Sequence, residues 1–95
     1  MKISLWGKVI TKNRITAHHT VACAQHSMDE YAAAITAVCR ELDIPNPVVL
    51  KKHEKDLTEF NMTRFLPDDF MESVKFQRLE IEVITERGDK KQKLG

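Results

Sequence analysis

A chain of 95 residues has room for one hydrophobic core and excludes two domains with a cleft between them. With 42% hydrophobic and 31% charged residues and only 3 Gly and 3 Pro, the composition excludes a disordered chain, and a formal charge of +1 excludes a wholesale polyelectrolyte. No apolar run approaches the roughly 18 residues of a membrane span, the opening MKISLWGKVITKNR lacks a signal-peptide core, and Cys23 and Cys39 are too few for a disulfide framework, so a cytoplasmic protein with reduced thiols is expected.

The first element is a hairpin. Ile3, Leu5 and Val9 alternate with Lys2, Ser4, Trp6 and Lys8, and beyond Lys12-Asn13 a second alternation runs through Ile15, Ala17, His19, Val21 and Cys23. A two-residue loop at Lys12-Asn13 pairs Val9 with Thr16 and Leu5 with Thr20, which mixes both faces. A three-residue loop, Lys12-Asn13-Arg14, pairs Val9 with Ala17, Leu5 with Val21 and Ile3 with Cys23, and gives one apolar face; this register is expected.

A helix follows. Ser27-Met28-Asp29-Glu30 fits a capping box, and Met28, Tyr31, Ile35, Val38 and Leu42 form an apolar stripe supported by Ala32, Ala33, Ala34 and Ala37. Pro45 and Pro47 end it and favour extended backbone, predicting a short strand over residues 48–50. Residues 52–61 read as a second helix with Leu57 and Phe60 inward, then residues 62–65 as extended chain and Leu66-Pro67-Asp68-Asp69-Phe70 as a turn opening at Pro67. The clearest strand is LEIEV, where Leu79, Ile81 and Val83 alternate with Glu80 and Glu82. Phe76 falls on the glutamate face, so it marks either a bulge near Gln77 or a second cluster with Phe65 and Phe70. The resulting expectation is a single α+β domain over residues 1–85, in the order ββαβαββ, with helix cover on one face of a mainly antiparallel sheet and a flexible polar tail at 86–95.

Three chemistries are open to these residues. His18, His19, Cys23 and His26 lie close together in sequence, but on a strand His18 points away from His19 and Cys23, and no C-x-x-C knuckle exists, so neither a metal nor any other cofactor is expected. Residues 1–25 hold Lys2, Lys8, Lys12 and Arg14 and no acid, with Trp6 among them, which permits a nucleic-acid surface of cations around one stacking ring. Catalysis has little support: G-x-S-x-G, P-loop, G-x-G-x-x-G and H-E-x-x-H motifs are all missing, Asp68-Asp69 sits in a turn, and no residue is visibly placed to orient a Cys-His pair. A non-enzymatic protein-interaction module is therefore expected, its partner another protein or a second copy, with Trp6, Lys8, Ile10, Arg14 and His18 as the interaction residues and Ile10 exposed beside Trp6. Nucleic-acid binding through the same hairpin is the alternative. The stretch 26–45 carries Asp29, Glu30, Glu41 and Asp43 against Arg40 alone, opposite in sign to the hairpin, and such asymmetry can orient one copy against another.

Four stretches, Leu5-Trp6-Gly7-Lys8, Cys39-Arg40-Glu41-Leu42-Asp43-Ile44-Pro45, Thr63-Arg64-Phe65 and Leu79-Glu80-Ile81-Glu82-Val83, give the chain a resemblance to small single-domain bacterial proteins to which no activity is assigned. The similarity spans residues 1–85 and implies a stand-alone domain, with no catalytic residue to carry over.

Overall fold

The computed structural model describes residues 2–86. Within them the order is β1 (Lys2–Thr11), β2 (Arg14–Cys23), α1 (Met28–Leu42), α2 (Lys51–Phe60), β3 (Met62–Phe65) and β4 (Arg78–Glu86), with a 3-10 turn at Pro67–Asp69. The strands form one antiparallel sheet ordered β2-β1-β4-β3, and both helices pack on one of its faces, so the class is α+β. None of the described helices is long and apolar enough to cross a membrane. The expected tail falls mostly on residues 87–95, outside the described residues, while Glu86 is the last residue of β4.

The element order is ββααββ, because the strand expected at residues 48–50 does not form. Pro47 makes only an isolated bridge with Phe70, and Val48 N–H donates to the Asp69 carbonyl at 2.7 Å. Preceded by two prolines that cannot donate to a ladder, and followed at once by α2, the segment is pinned to the 3-10 turn and joins no sheet.

The hairpin reaches the expected pairs, Val9 with Ala17, Leu5 with Val21 and Ile3 with Cys23, by a different route. Thr11 pairs with Arg14 across a two-residue turn whose Lys12 and Asn13 both have positive φ, 54° and 62°, the signature of a type I′ turn. Ile10 then pairs with Ile15 and Val9 with Ala17, so Thr16 is an extra, bulged residue that restores the register a longer loop would have given.

Helix α1 starts as its sequence predicts: the Ser27 hydroxyl accepts from Glu30 N–H at 3.2 Å. The Glu30 carboxylate, however, reaches past Ser27 to accept from Ala24 N–H at 2.9 Å, tying the end of β2 to the helix. Asp43 closes the helix in the left-handed conformation. Helix α2 begins on Leu50, which has no polar side chain to cap it; the His53 Nδ1 atom accepts the Leu50 N–H at 2.9 Å instead.

One core joins both helices and all four strands, with Leu5, Val9, Ile35, Val38, Leu57, Phe65, Leu79, Ile81 and Val83 among its members. Helix α1 lies directly over Gly7: a Cβ there would fall 2.4 Å from Val38 Cγ1, so only glycine permits this approach. Phe76 precedes β4 and meets Phe70 edge-on at 5.3 Å, but neither expected alternative holds: β4 pairs with β1 without a bulge, and Phe65 and Phe70 belong to the one main core, against which Phe76 packs from its margin. Phe60 corrects the expected inward pair: Leu57 is buried, whereas Phe60 is 65% exposed. It is the last residue of α2 and leads into β3, the edge strand, beyond which no further strand of the described residues offers cover.

Candidate functional site on the open face of the sheet

Alternation along the central strands sends Leu5, Gly7 and Val9 toward the helices and Ser4, Trp6, Lys8 and Ile10 the other way. Across the second face, Trp6 pairs with Thr20 and Glu82, Lys8 with His18 and Glu80, and Arg64 of β3 with Glu80. Among the described residues, no helix covers this face.

Trp6 stands near its centre, half-buried and fixed on two sides. Its Nε1–H donates to His18 Nδ1 at 3.2 Å, which places the imidazole proton on Nε2 and sets the two rings edge to face, 5.9 Å apart. The Lys8 ammonium lies 4.2 Å from the indole centroid, a cation–π contact. The same ammonium is 3.2 Å from Glu82 Oε1 and 3.7 Å from Glu80 Oε1, and the Lys8 side chain is only 12% exposed. Arg78 Nε donates to Glu80 Oε2 at 2.7 Å. That hydrogen bond, with the charges of Arg78, Lys8 and Arg64, holds the Glu80 carboxyl below its usual range against the opposing effect of burial.

Of the five residues expected to interact, Trp6, Lys8 and His18 come together here. Arg14 is exposed, but at the hairpin turn and away from the Trp6 centre. Ile10 corrects the expectation of an exposed apolar neighbour, since it is 4% exposed. It lies on a central strand between Ile15 and Arg78, and the turn beside it is stitched down by paired side-chain and backbone bonds between Asn13 and Gln77, at 2.9 and 3.1 Å.

Sequence reasoning passed over the carboxylates Glu80 and Glu82 as a wet strand face, because their partner Lys8 is more than seventy positions away along the chain. It also missed two histidine arrangements. His26 bridges the Tyr31 hydroxyl at 2.7 Å and the Thr85 hydroxyl at 3.3 Å, and these residues line a polar cleft of about 380 Å³ with Ser27, Thr58 and Asn61. His53 is buried against Phe65, and its Nε2 points to Asp69 at 3.5 Å without making a hydrogen bond. Burial pushes the His53 pKa down, while the Asp69 charge pulls it back up.

The thiols are poorly suited to nucleophilic chemistry. Both are free and buried; burial pushes Cys39 up to about 11 and, with help from Glu30, raises Cys23. Neither histidine arrangement includes a cysteine. Among the described residues, no three His, Cys, Asp or Glu side chains converge as a metal site requires. Comparison of the chain with protein-family models, with curated proteins and with solved structures finds no match.

Proposed function

We propose that this chain is a non-enzymatic protein-interaction module that receives a protein partner on the open sheet face around Trp6. One observation carries the reading: an aromatic ring is held rigid by His18 and Lys8 in the middle of a face that no described helix covers. A pre-positioned indole loses little freedom on binding, which is what makes tryptophan effective at the centre of an interface. Charge favours protein over nucleic acid, because Lys8 and Arg78 already serve Glu80 and Glu82, so an approaching phosphate chain would meet two carboxylates at the centre. Raised thiol pKa values support a role without covalent catalysis, and free buried cysteines support a reducing, cytoplasmic setting.

The test is capture from native lysate by the wild-type chain and by Trp6→Ala, at low and high salt. Trp6→Ala is expected to lose a salt-resistant protein band while its unfolding free energy stays within about 1 kcal/mol of wild type. Recovery of nucleic acid that is released by salt favours the alternative instead. In that case Lys8 and Arg14 substitutions flatten the salt dependence by about one unit per lost phosphate contact.

A further inference from the structure

The two edges of the sheet are unequal. β3 offers four residues, whereas β2 offers ten, and among the described residues β2 pairs only with β1. Natural edge strands carry lysine, proline or inward charges that prevent another chain from adding to them. Residues 15–23 hold no Lys, Arg, Asp, Glu, Pro or Gly. The one protective device is the bulge at Thr16, and it lies near the turn, so residues 17–23 remain a regular edge.

The direction of the backbone groups follows from two contacts. The Thr16 hydroxyl donates to the Val9 carbonyl at 3.3 Å on the β2 side, and Gln77 N–H donates to the Ile10 carbonyl at 2.7 Å on the β4 side. Alternation then turns the Val9, Gly7 and Leu5 groups toward Ala17, His19 and Val21, and leaves the N–H and C=O groups of His18, Thr20 and Ala22 directed away from the sheet. Their side chains are exposed and uncharged or histidine, so nothing on the strand obstructs them.

We propose that a second copy of this chain pairs with this edge, β2 against β2 in antiparallel register about Thr20, to give a continuous eight-stranded sheet. Thr20 is the midpoint of the regular segment 17–23, so a twofold axis there sets Thr20 against Thr20 and His18 against Ala22 of the second copy, using every outward backbone group. Charge selects this occupant and this direction. Exposed Lys12 and Arg14 lie at one end of β2, while exposed Asp29 and the Glu30 carboxylate, fixed on Ala24 N–H, lie at the other. Antiparallel apposition lays the basic end of each copy beside the acidic end of its mate; parallel apposition sets like against like. The inference rests on the association reading above but uses different atoms, and it leaves the Trp6 face uncovered.

Light scattering at micromolar and near-millimolar protein is expected to show a reversible dimer. Thr20→Lys sets two ammonium groups across the axis and is expected to raise the dimer Kd about tenfold or more. Arg14→Glu weakens the dimer, and combining it with Asp29→Lys restores much of the loss. In the wild type, which needs no variant to fold, the amides of His18, Thr20 and Ala22 gain exchange protection as concentration rises. A chain that stays monomeric throughout overturns the proposal, as does a dimer indifferent to Thr20→Lys. A dimer lost with Trp6→Ala but kept with Thr20→Lys moves the contact to the open face and likewise overturns the edge placement.

Discussion

On the helix side of the sheet, Leu5, Leu79 and Ile81 are fully buried against α1 and its neighbours; on the other side the same strands present Lys8, Glu80 and Glu82 in a lattice of ion pairs around Trp6. Burying one such aliphatic side chain stabilises the fold by about 1.5 to 3 kcal/mol. A partly exposed ion pair contributes about 0 to 1 kcal/mol, since it exchanges one set of polar partners for another. Stability therefore resides on one face and leaves the other free to serve recognition, although the two faces alternate residue by residue along each strand.

The sharpest way to break this division is Ile35→Ala, which removes buried volume at the α1 contact and is expected to cost roughly 2 to 5 kcal/mol in a urea titration. A loss under about 1 kcal/mol would mean that α1 is not the main cover of the sheet. Gly7→Ala forces a methyl group into Val38 and is expected to cost about 1 to 3 kcal/mol. Because the clash is with one side chain, Val38→Ala in the same molecule relieves part of that cost, and strictly additive losses would contradict the close approach.

A smaller effect reports the buried imidazole of His53, 1% exposed. With its folded pKa lowered by burial, His53 binds a proton less readily in the native state than in the unfolded chain. The unfolded state thus holds more protons as pH falls through the ordinary histidine range, so stability declines with falling pH there and levels off below the folded pKa. His53→Gln flattens that limb; a limb unchanged in the variant would place its cause elsewhere. The open face gives the smallest change. Glu80→Gln is expected to cost no more than about 1 kcal/mol at neutral pH. Glu80 has a depressed folded pKa, so its contribution is full above the normal carboxylate range and is lost as pH falls from that range through the lower folded pKa, below which the variant and wild type no longer differ in their pH dependence.

Much of the dry face was legible in the sequence because periodicity is local. Val38, Ile35, Leu79, Ile81 and Val83 declare their burial within a few residues of themselves, and all are in the core. Strand pairing was legible where it was forced by alternation, since a slip at Leu5 with Val21 would turn the apolar set to the wet face. The turn that achieves it was not, because a two-residue turn with one extra residue and a three-residue loop leave the same pairs beyond them. The candidate site was legible only in Trp6, Lys8 and His18, which share a hairpin. Its carboxylates, the burial of Ile10 by a stitched turn and the pairing of His53 with Asp69 all depend on chain segments meeting over distance, where composition and spacing carry no signal.

Thr16 has one further implication, for chain length. It is the residue of β2 that faces no partner on β1, so excising it would leave Ile10 opposite Ile15 and Val9 opposite Ala17, with every other pair and both faces intact. The hairpin is thus indifferent, in its pairing, to the loss of one residue at this site, while a deletion elsewhere along the strand would invert a run of side chains. What the deletion would change is the rim. Without its interruption β2 becomes one uninterrupted edge from the turn to Cys23, so a single codon sets how much of that rim lies open to other strands.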